Sequence, residues 1–292
     1  MINPKYMVVP TSQRQWSEGR GWFLVAAFFL GGVGGGMYLI SLYLGFAWGM
    51  LMGWLIVLLG KTTAHLLFLG RPSRFWRAFT RPNSSWISRG IIILILFTIF
   101  AALQMAPMVK QFSWLPWTSQ NPVLQILSII TALGLVSYTG FVLGELRAIP
   151  FWNSSLVPAL FILYALLGGT GLTLATHPLF PPDFVDIHRA ERIALWLLAI
   201  TAVAMIFYLD IMYRRGPGAR QSMLELIKGK ISPIFIFGVV VVGILVPLSV
   251  ATYGIIVGVS SSVLMVGAIC ELIGGFSLRY SLLKVGKYEP LI

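Results

Sequence analysis

Residues 22–45 read WFLVAAFFLGGVGGGMYLISLYLG, a run with no charged side chain in it. A helix needs about 20 apolar residues to cross a membrane's hydrocarbon core, and this stretch is long enough. A surface helix of that length in a soluble protein would show a polar face, and this one shows none. Seven similar runs follow: Trp48–Leu69, Gly90–Met108, Val123–Leu146, Leu156–Thr176, Ile193–Tyr213, Pro233–Tyr253 and Ser260–Tyr280. Of the 292 residues, 58% are hydrophobic and 10% charged, where a soluble domain carries about 25% charge. The chain therefore reads as an all-α integral membrane protein. Eight transmembrane helices over residues 22–280 lie between a polar arm, residues 1–21, and a tail, residues 281–292. A soluble enzyme is excluded. Short links at Phe46–Ala47 and Gly254–Val259 predict antiparallel hairpins, and Pro158 and Pro247 fall inside spans, where membrane helices tolerate a kink. The arm is polar and mixed, so no cleavable signal is expected.

The formal charge is +12, from 21 Lys and Arg against 9 Asp and Glu. Such a balance can mark a nucleic-acid partner, but the basic residues sit in the links between apolar runs, so topology explains them and no nucleic-acid partner is implied. Eight spans put both termini on one side. Seventeen cations fall there: Lys5, Arg14 and Arg20 in the arm; Arg71, Arg74, Arg77, Arg81 and Arg89 in the second link; Arg147 in the fourth; Arg214, Arg215, Arg220, Lys228 and Lys230 in the sixth; Arg279, Lys284 and Lys287 in the tail. The other side has Lys110, Arg189 and Arg192, and Lys61 lies within a span. Cytoplasmic links carry the excess of Lys and Arg, so both termini and the arginine link are expected to be cytoplasmic, in a plasma membrane. A competing reading makes the arginine link a dock for an acidic partner; without it the bias is still twelve to three.

Ionisable groups inside a membrane are costly and are functional candidates by default. Lys61 and His65 stand one turn apart on the second helix, and Tyr138 and Glu145 two turns apart on the fourth. Spacings of three or four residues share a helix face, and the predicted topology brings all four to the cytoplasmic half. Asp210 falls near the cytoplasmic end of the sixth helix and Glu271 in the middle of the eighth. The structural alternatives are an interhelical ion pair for Lys61 and Glu145, a satisfied core phenol for Tyr138 and an interfacial position for Asp210. Gly31, Gly32, Gly34, Gly35 and Gly36 let a neighbouring helix, or a flat ligand, approach the first helix closely. The link from His177 to Asp183, with Asp186, His188 and Glu191 beyond it, holds two histidines and three acids in a spacing that matches no metal motif, and no metal site is assigned. Cys270 is the one cysteine, and one cysteine holds neither a disulfide nor a cluster.

Three stretches carry a resemblance. The second link reads His65-Leu-Leu-Phe-Leu-Gly-Arg-Pro-Ser-Arg-Phe-Trp-Arg-Ala-Phe and continues to Pro82-Asn-Ser-Ser-Trp-Ile-Ser-Arg-Gly90. The fourth helix ends Tyr138-Thr-Gly-Phe-Val-Leu, followed by Pro150-Phe-Trp-Asn-Ser-Ser-Leu-Val-Pro158. The first helix closes its glycine run with Gly36-Met-Tyr-Leu. Together these resemble the NrfD/PsrC family, the quinone-reactive integral membrane subunits of polysulfide reductase and of the nitrite-reductase quinol module. The resemblance covers nearly the whole chain.

It implies eight helices in two packed four-helix bundles, serving as a membrane anchor that exchanges electrons with the quinone or menaquinone pool. The partner it implies is a ferredoxin-like iron–sulfur subunit, which often serves a molybdenum oxidoreductase. The clusters belong to that partner, and the membrane subunit carries neither haem nor cluster. Tyr138 matches the family tyrosine at the quinone headgroup, and His65 heads the family's histidine–arginine–proline stretch at the membrane edge; with them, Gly34 and Gly35 are quinone-site candidates because glycine leaves room for a planar ring. Arg71, Arg74, Arg77 and Arg81 match the docking face. Many family members place that face outside, whereas the charges here put it inside. Trp22–Leu30 also lacks a side chain suited to hydrogen-bonding a quinone.

Quinone reduction takes two electrons and two protons. A tyrosine hydroxyl and a histidine can each donate and accept a hydrogen bond, which suits them to the two ring carbonyls. Lys61, Glu145, Asp210 and Glu271 are the candidates for a proton route, and proton translocation is a further expectation. Two other functions fit the composition. A haem b anchor needs paired histidines at one depth, and His65 is expected at the opposite side from His177 and His188. A transporter needs a polar path through the membrane. The topology is directly testable: a green fluorescent protein fused after Ile292 should fluoresce, and one inserted in the link around residues 114–118 should not.

Overall fold

A computed structural model describes residues 9–180, 186–258 and 260–289, apart from the side chains of Pro72, Ile255 and Ser261. Lys5 and Asp183 lie outside the described residues. Eight helices are long and apolar enough to cross a membrane: α1 (Gly21–Leu44), α2 (Ala47–Phe68), α3 (Trp86–Met108), α4 (Pro122–Gly144), α5 (Leu156–Leu179), α6 (Ile187–Arg214), α8 (Ile234–Gly254) and α9 (Ser262–Val285). Between α6 and α8 lies α7 (Pro217–Lys228), a shorter helix inside what reads as the sixth link. The eight spans stand as expected, and the chain is an integral membrane protein.

Local chemistry places the ends. Asn121 caps α4 by accepting from the amides of Val123 and Leu124 at 3.1 and 3.2 Å, satisfying donors that a helix start leaves open. Ser85 caps α3, which starts four residues before the apolar run does. Asp186 caps α6, six residues early. Gly45 closes α1 at φ +74°, the left-handed conformation that glycine adopts without strain. Pro158 falls in the first turn of α5, where its missing N–H costs little. The last helix runs on to Val285, so Arg279 and Lys284, which read as tail residues, are helical.

Helix α1 is the hub: it packs on α2, α4, α5 and α9, while α3 packs on α4, α6 on α5, and α8 on α9. Between membrane helices there is no hydrophobic drive, so small residues that allow close contact decide the packing. A Cβ on Gly36 would strike the Ala165 carbonyl of α5, and one on Gly169 would strike the Gly36 backbone. At this crossing backbone meets backbone. Beneath the bundle the two ends of the chain are tied together. Thr11–Ser12 pairs antiparallel with Lys287–Tyr288, Gln13 Nε2 donates to the Leu283 carbonyl, and Lys284 binds Glu18, whose carboxyl this hydrogen bond holds below its ordinary range.

Gly36→Ala tests the crossing. Neither partner atom at that position is the end of a flexible side chain, so α1 and α5 must separate. The variant should lose about 1–3 kcal/mol of stability or more, seen as a lower thermal transition in detergent, while Gly70→Ala, at an exposed position where a Cβ would meet only the Arg20 side chain at 3.6 Å, should cost less.

Candidate functional site

The helices and the two polar segments enclose a cavity of about 370 Å³ at the end of the bundle where Thr11–Ser12 pairs with Lys287–Tyr288. Its walls are largely apolar, from Leu24 and Phe28 of α1, Ile87, Ile91 and Leu94 of α3 and Val142 of α4. Its polar groups are Lys61, Thr62 and His65 of α2, Tyr138 of α4, and Gln15 of the arm. Phe75 and Ala78 of the arginine link, with Gln15 and Trp16 of the arm, complete the lining. The Ala47–Leu55 half of α2 packs against α3, and the cavity lies at the other half. Leu66 and Ile87 both line it and are exposed, so it opens sideways between α2 and α3.

The polar groups converge for identifiable reasons. The backbone of α2 is π-helical over Ile56–Lys61 before returning to α-helix at Thr62. A π segment shifts the facing of the residues at its end, and here it ends at Lys61. Lys61 is fully buried, and a Cβ on Gly31 would overlap its stem; that glycine is what admits the lysine. The ammonium donates to the Tyr138 hydroxyl at 2.5 Å and stands 4.7 Å from the centre of its ring. The Tyr138 ring in turn lies against Gly90, where a Cβ would overlap the ring edge. One turn beyond Lys61, His65 lines the same cavity with Nδ1 buried and without a partner among the described residues.

The arginine link forms a 3-10 helix over Pro72–Phe79. Arg89 fastens its far end, donating to the carbonyls of Pro82 and Asn83 at 2.8 and 2.7 Å while lying over the Trp86 ring. Arg20 holds the near end through the Leu69 carbonyl at 3.3 Å. Arg71, Arg74, Arg77 and Arg81 are exposed, and none is in an ion pair among the described residues. One segment thus turns apolar side chains into the cavity and cations outward.

The other candidates fall elsewhere. Gly34 and Gly35 are absent from the cavity lining: Gly34 packs on the Gly53 carbonyl and Val57 of α2, and Gly35 on Val136 of α4. They serve helix packing. Glu145 is exposed at the end of α4, and Asp210 is exposed and bonded to Arg214 at 2.9 Å, so neither lies inside beside Lys61. Glu271 is buried in the α5–α9 seam against Gly171, and its Oε2 has no partner among the described residues. Helix periodicity groups side chains on one helix, but it does not show that the next helix ends before the carboxylate is covered.

Sequence reading missed Arg279. It is fully buried, donates to the Gly275 carbonyl at 2.9 Å and lies 5.2 Å from the Phe161 ring centre, with Nη2 pressed against Gly32. A cation at the edge of an apolar run looks like a tail residue; the packing of α9 on α1 and α5 takes it inside. His177 stands 5.8 Å from Phe46 in the α1–α2 turn, and the neighbour of His188, Arg189, lies over Tyr43. Both histidines are therefore at the far end from His65, so neither pairs with it across one depth. His188 binds Glu191 at 3.1 Å, and the described residues contain no group of three potential metal ligands.

Tyr138→Phe should leave the Lys61 ammonium buried with no acceptor. Loss of a buried partner costs about 1–3 kcal/mol, measurable as a lower thermal transition, and Lys61→Met on the same background should recover part of it.

Comparison with known proteins gives the family. The family model described as "Polysulphide reductase, NrfD" matches residues 16–289. The protein is 26% identical over 245 residues to protein NrfD of Escherichia coli, covering 75% of its own length and 76% of the relative. It is 24% identical over 253 residues to the C subunit of polysulfide reductase from Wolinella succinogenes, covering 78% of each. It is 25% identical over 262 residues to the NrfD homolog of Haemophilus influenzae, covering 82% of its own length and 81% of the relative. With its eight spans and a match over almost its whole length, the protein belongs to the NrfD family of polysulphide reductase membrane proteins.

Proposed function

We propose that this protein is the membrane subunit of a multi-subunit oxidoreductase and exchanges electrons between the quinone or menaquinone pool and an iron–sulfur partner. The observation that carries the reading is the cavity itself: an apolar slot, open sideways, ending at a buried Lys61–Tyr138 pair and the His65 ring, directly under an arginine face. Ligand pockets of about 300–1,000 Å³ hold ring-sized molecules, so 370 Å³ suits a headgroup whose tail trails out between α2 and α3. Tyr138 and His65 offer hydrogen bonds to the two ring oxygens. Lys61 at the cavity and Glu271 in the seam are the interior groups available to carry protons, and Glu145 and Asp210 are open to water at the surface.

Arg71, Arg74, Arg77 and Arg81 form the docking face for a ferredoxin-like subunit with acidic character, which itself serves a molybdenum-type catalytic subunit. The Wolinella relative is named as one component of a polysulfide reductase, and likeness to it supports an assembly of this kind. The clusters belong to the partner, and this protein supplies no haem ligand pair. The charge bias supports a plasma membrane, with the arginine face toward the cytoplasm. A headgroup under that face stands close to a docked cluster, as electron transfer requires.

Extraction from the native membrane in mild detergent should bring down a subunit with iron and acid-labile sulfide, and the visible spectrum should lack a sharp reduced-haem band. A haem band would favour a cytochrome anchor, and a colourless lone protein would favour transport. Replacing Arg74 and Arg77 together with Glu should remove the iron-containing subunit, because like charges facing each other at an interface are strongly unfavourable. In the assembled complex, Tyr138→Phe should lower quinol-dependent turnover by about a hundredfold, the usual scale for losing a positioned proton-transfer group.

A further inference from the structure

Lys61 is a buried cation at the wall of the cavity, with fewer partners than its donors can serve. It is fully buried, it takes part in none of the ion pairs among the described residues, and the described residues that line the cavity include no carboxylate. Its nitrogen, with three donors when protonated, has one hydrogen-bond partner among the described residues, the Tyr138 hydroxyl at 2.5 Å. The ring face 4.7 Å away adds an attraction of the cation–π kind, but neither group carries a negative charge. A buried charge is costly unless it is paired. Gly31 and the π segment of α2 nevertheless hold the lysine here. The remaining donors face a cavity that is open to a ligand, and the one other basic group lining it, His65, adds no negative charge.

We infer that the cavity is built for a ring that bears negative charge on an oxygen, with Lys61 as its counter-ion. The ligand class is an acidic quinone, one whose ring hydroxyl beside a carbonyl is ionised at neutral pH. The inference rests on the quinone reading and narrows it. A neutral quinone can be held by Tyr138 and His65 alone. An ionised ring oxygen also takes a free N–H of Lys61, in a charge-assisted hydrogen bond that is shorter and about twice as strong as a neutral one. The low dielectric around the pair strengthens it further. A quinone that has taken one electron carries its charge on the same oxygens, so the contact that selects an acidic ring also holds a singly reduced one.

The test compares two ligands on the purified complex by calorimetric titration at neutral pH: a hydroxynaphthoquinone with an alkyl tail, and its methyl ether with the same tail. The two share ring and tail and differ in charge. The ionised ring should bind at least about tenfold tighter, a preference of roughly 1.4 kcal/mol. Lys61→Met should bring the two affinities together, whereas Tyr138→Phe should keep the preference. If Lys61→Met fails to accumulate, Lys61→Gln carries the same comparison with a neutral donor. Equal affinities in the unmodified complex, or a preference that survives loss of the lysine, would overturn the inference and leave the quinone reading standing. Failure of both rings to bind would overturn both.

Discussion

The structure depends on the close approach that α1 allows along one face after another. Each glycine of the run admits a different neighbour. Gly31 takes the Lys61 stem, Gly32 the Arg279 guanidinium, Gly34 the Gly53 carbonyl of α2, Gly35 the Val136 side chain of α4, and Gly36 the Ala165 carbonyl of α5. In a membrane, apolar side chains gain little by leaving lipid for one another, so close van der Waals approach has to hold the bundle. Consecutive residues on an α-helix of 3.6 residues per turn point about 100° apart, and a run of five glycines within six positions therefore clears most of the circumference. That is why α1 can touch four helices at once.

The same run also makes room for the chemistry. Two long cationic side chains enter the bundle where α1 has no Cβ, one toward the cavity and one into the seam with α5 and α9. Against alanine each would have to shift. The cost of the two buried charges is met differently. Arg279 spreads its charge over a planar group, bonds a helix carbonyl and lies against aromatic rings, as guanidinium groups do well. Lys61 is a compact charge with one neutral acceptor, and it faces open space. Arg279 is enclosed in the seam, with its Nε buried and without a partner among the described residues, whereas Lys61 stands at a cavity wall where a ligand can reach it.

The cavity is closed by parts of the protein far apart in sequence. Trp16 reaches it because the arm is held against the last helix, with Gln13 bonded to the Leu283 carbonyl and Trp16 lying edge-on to Trp152 at 5.3 Å. Phe75 reaches it because Arg89 and Arg20 fasten the two ends of the arginine link. A docking partner that moved this link would move a wall of the site directly. Electron donor and electron acceptor would then share one short segment of protein.

Run length, charge and local motifs were enough to establish the membrane, the eight spans and the family, because each of these is written in neighbouring residues. Capping residues outside the apolar runs extended α3 and α6, and those signals were also present in the letters Ser85 and Asp186. Tyr138, His65 and Lys61 stood out too, since ionisable groups in apolar runs are rare enough to notice. Which of the candidates meet is a matter of packing between helices. The π segment that brings Lys61 to Tyr138 leaves no pattern in the run from Ile56 to Lys61, because it arises from how α2 settles on α1. Gly34 and Gly35 look the same in sequence whether a ligand or a helix fills the space beside them. Arg279 read as a tail charge because burial is a property of neighbours, and its neighbours Gly32, Phe161 and Phe29 are remote from it in sequence.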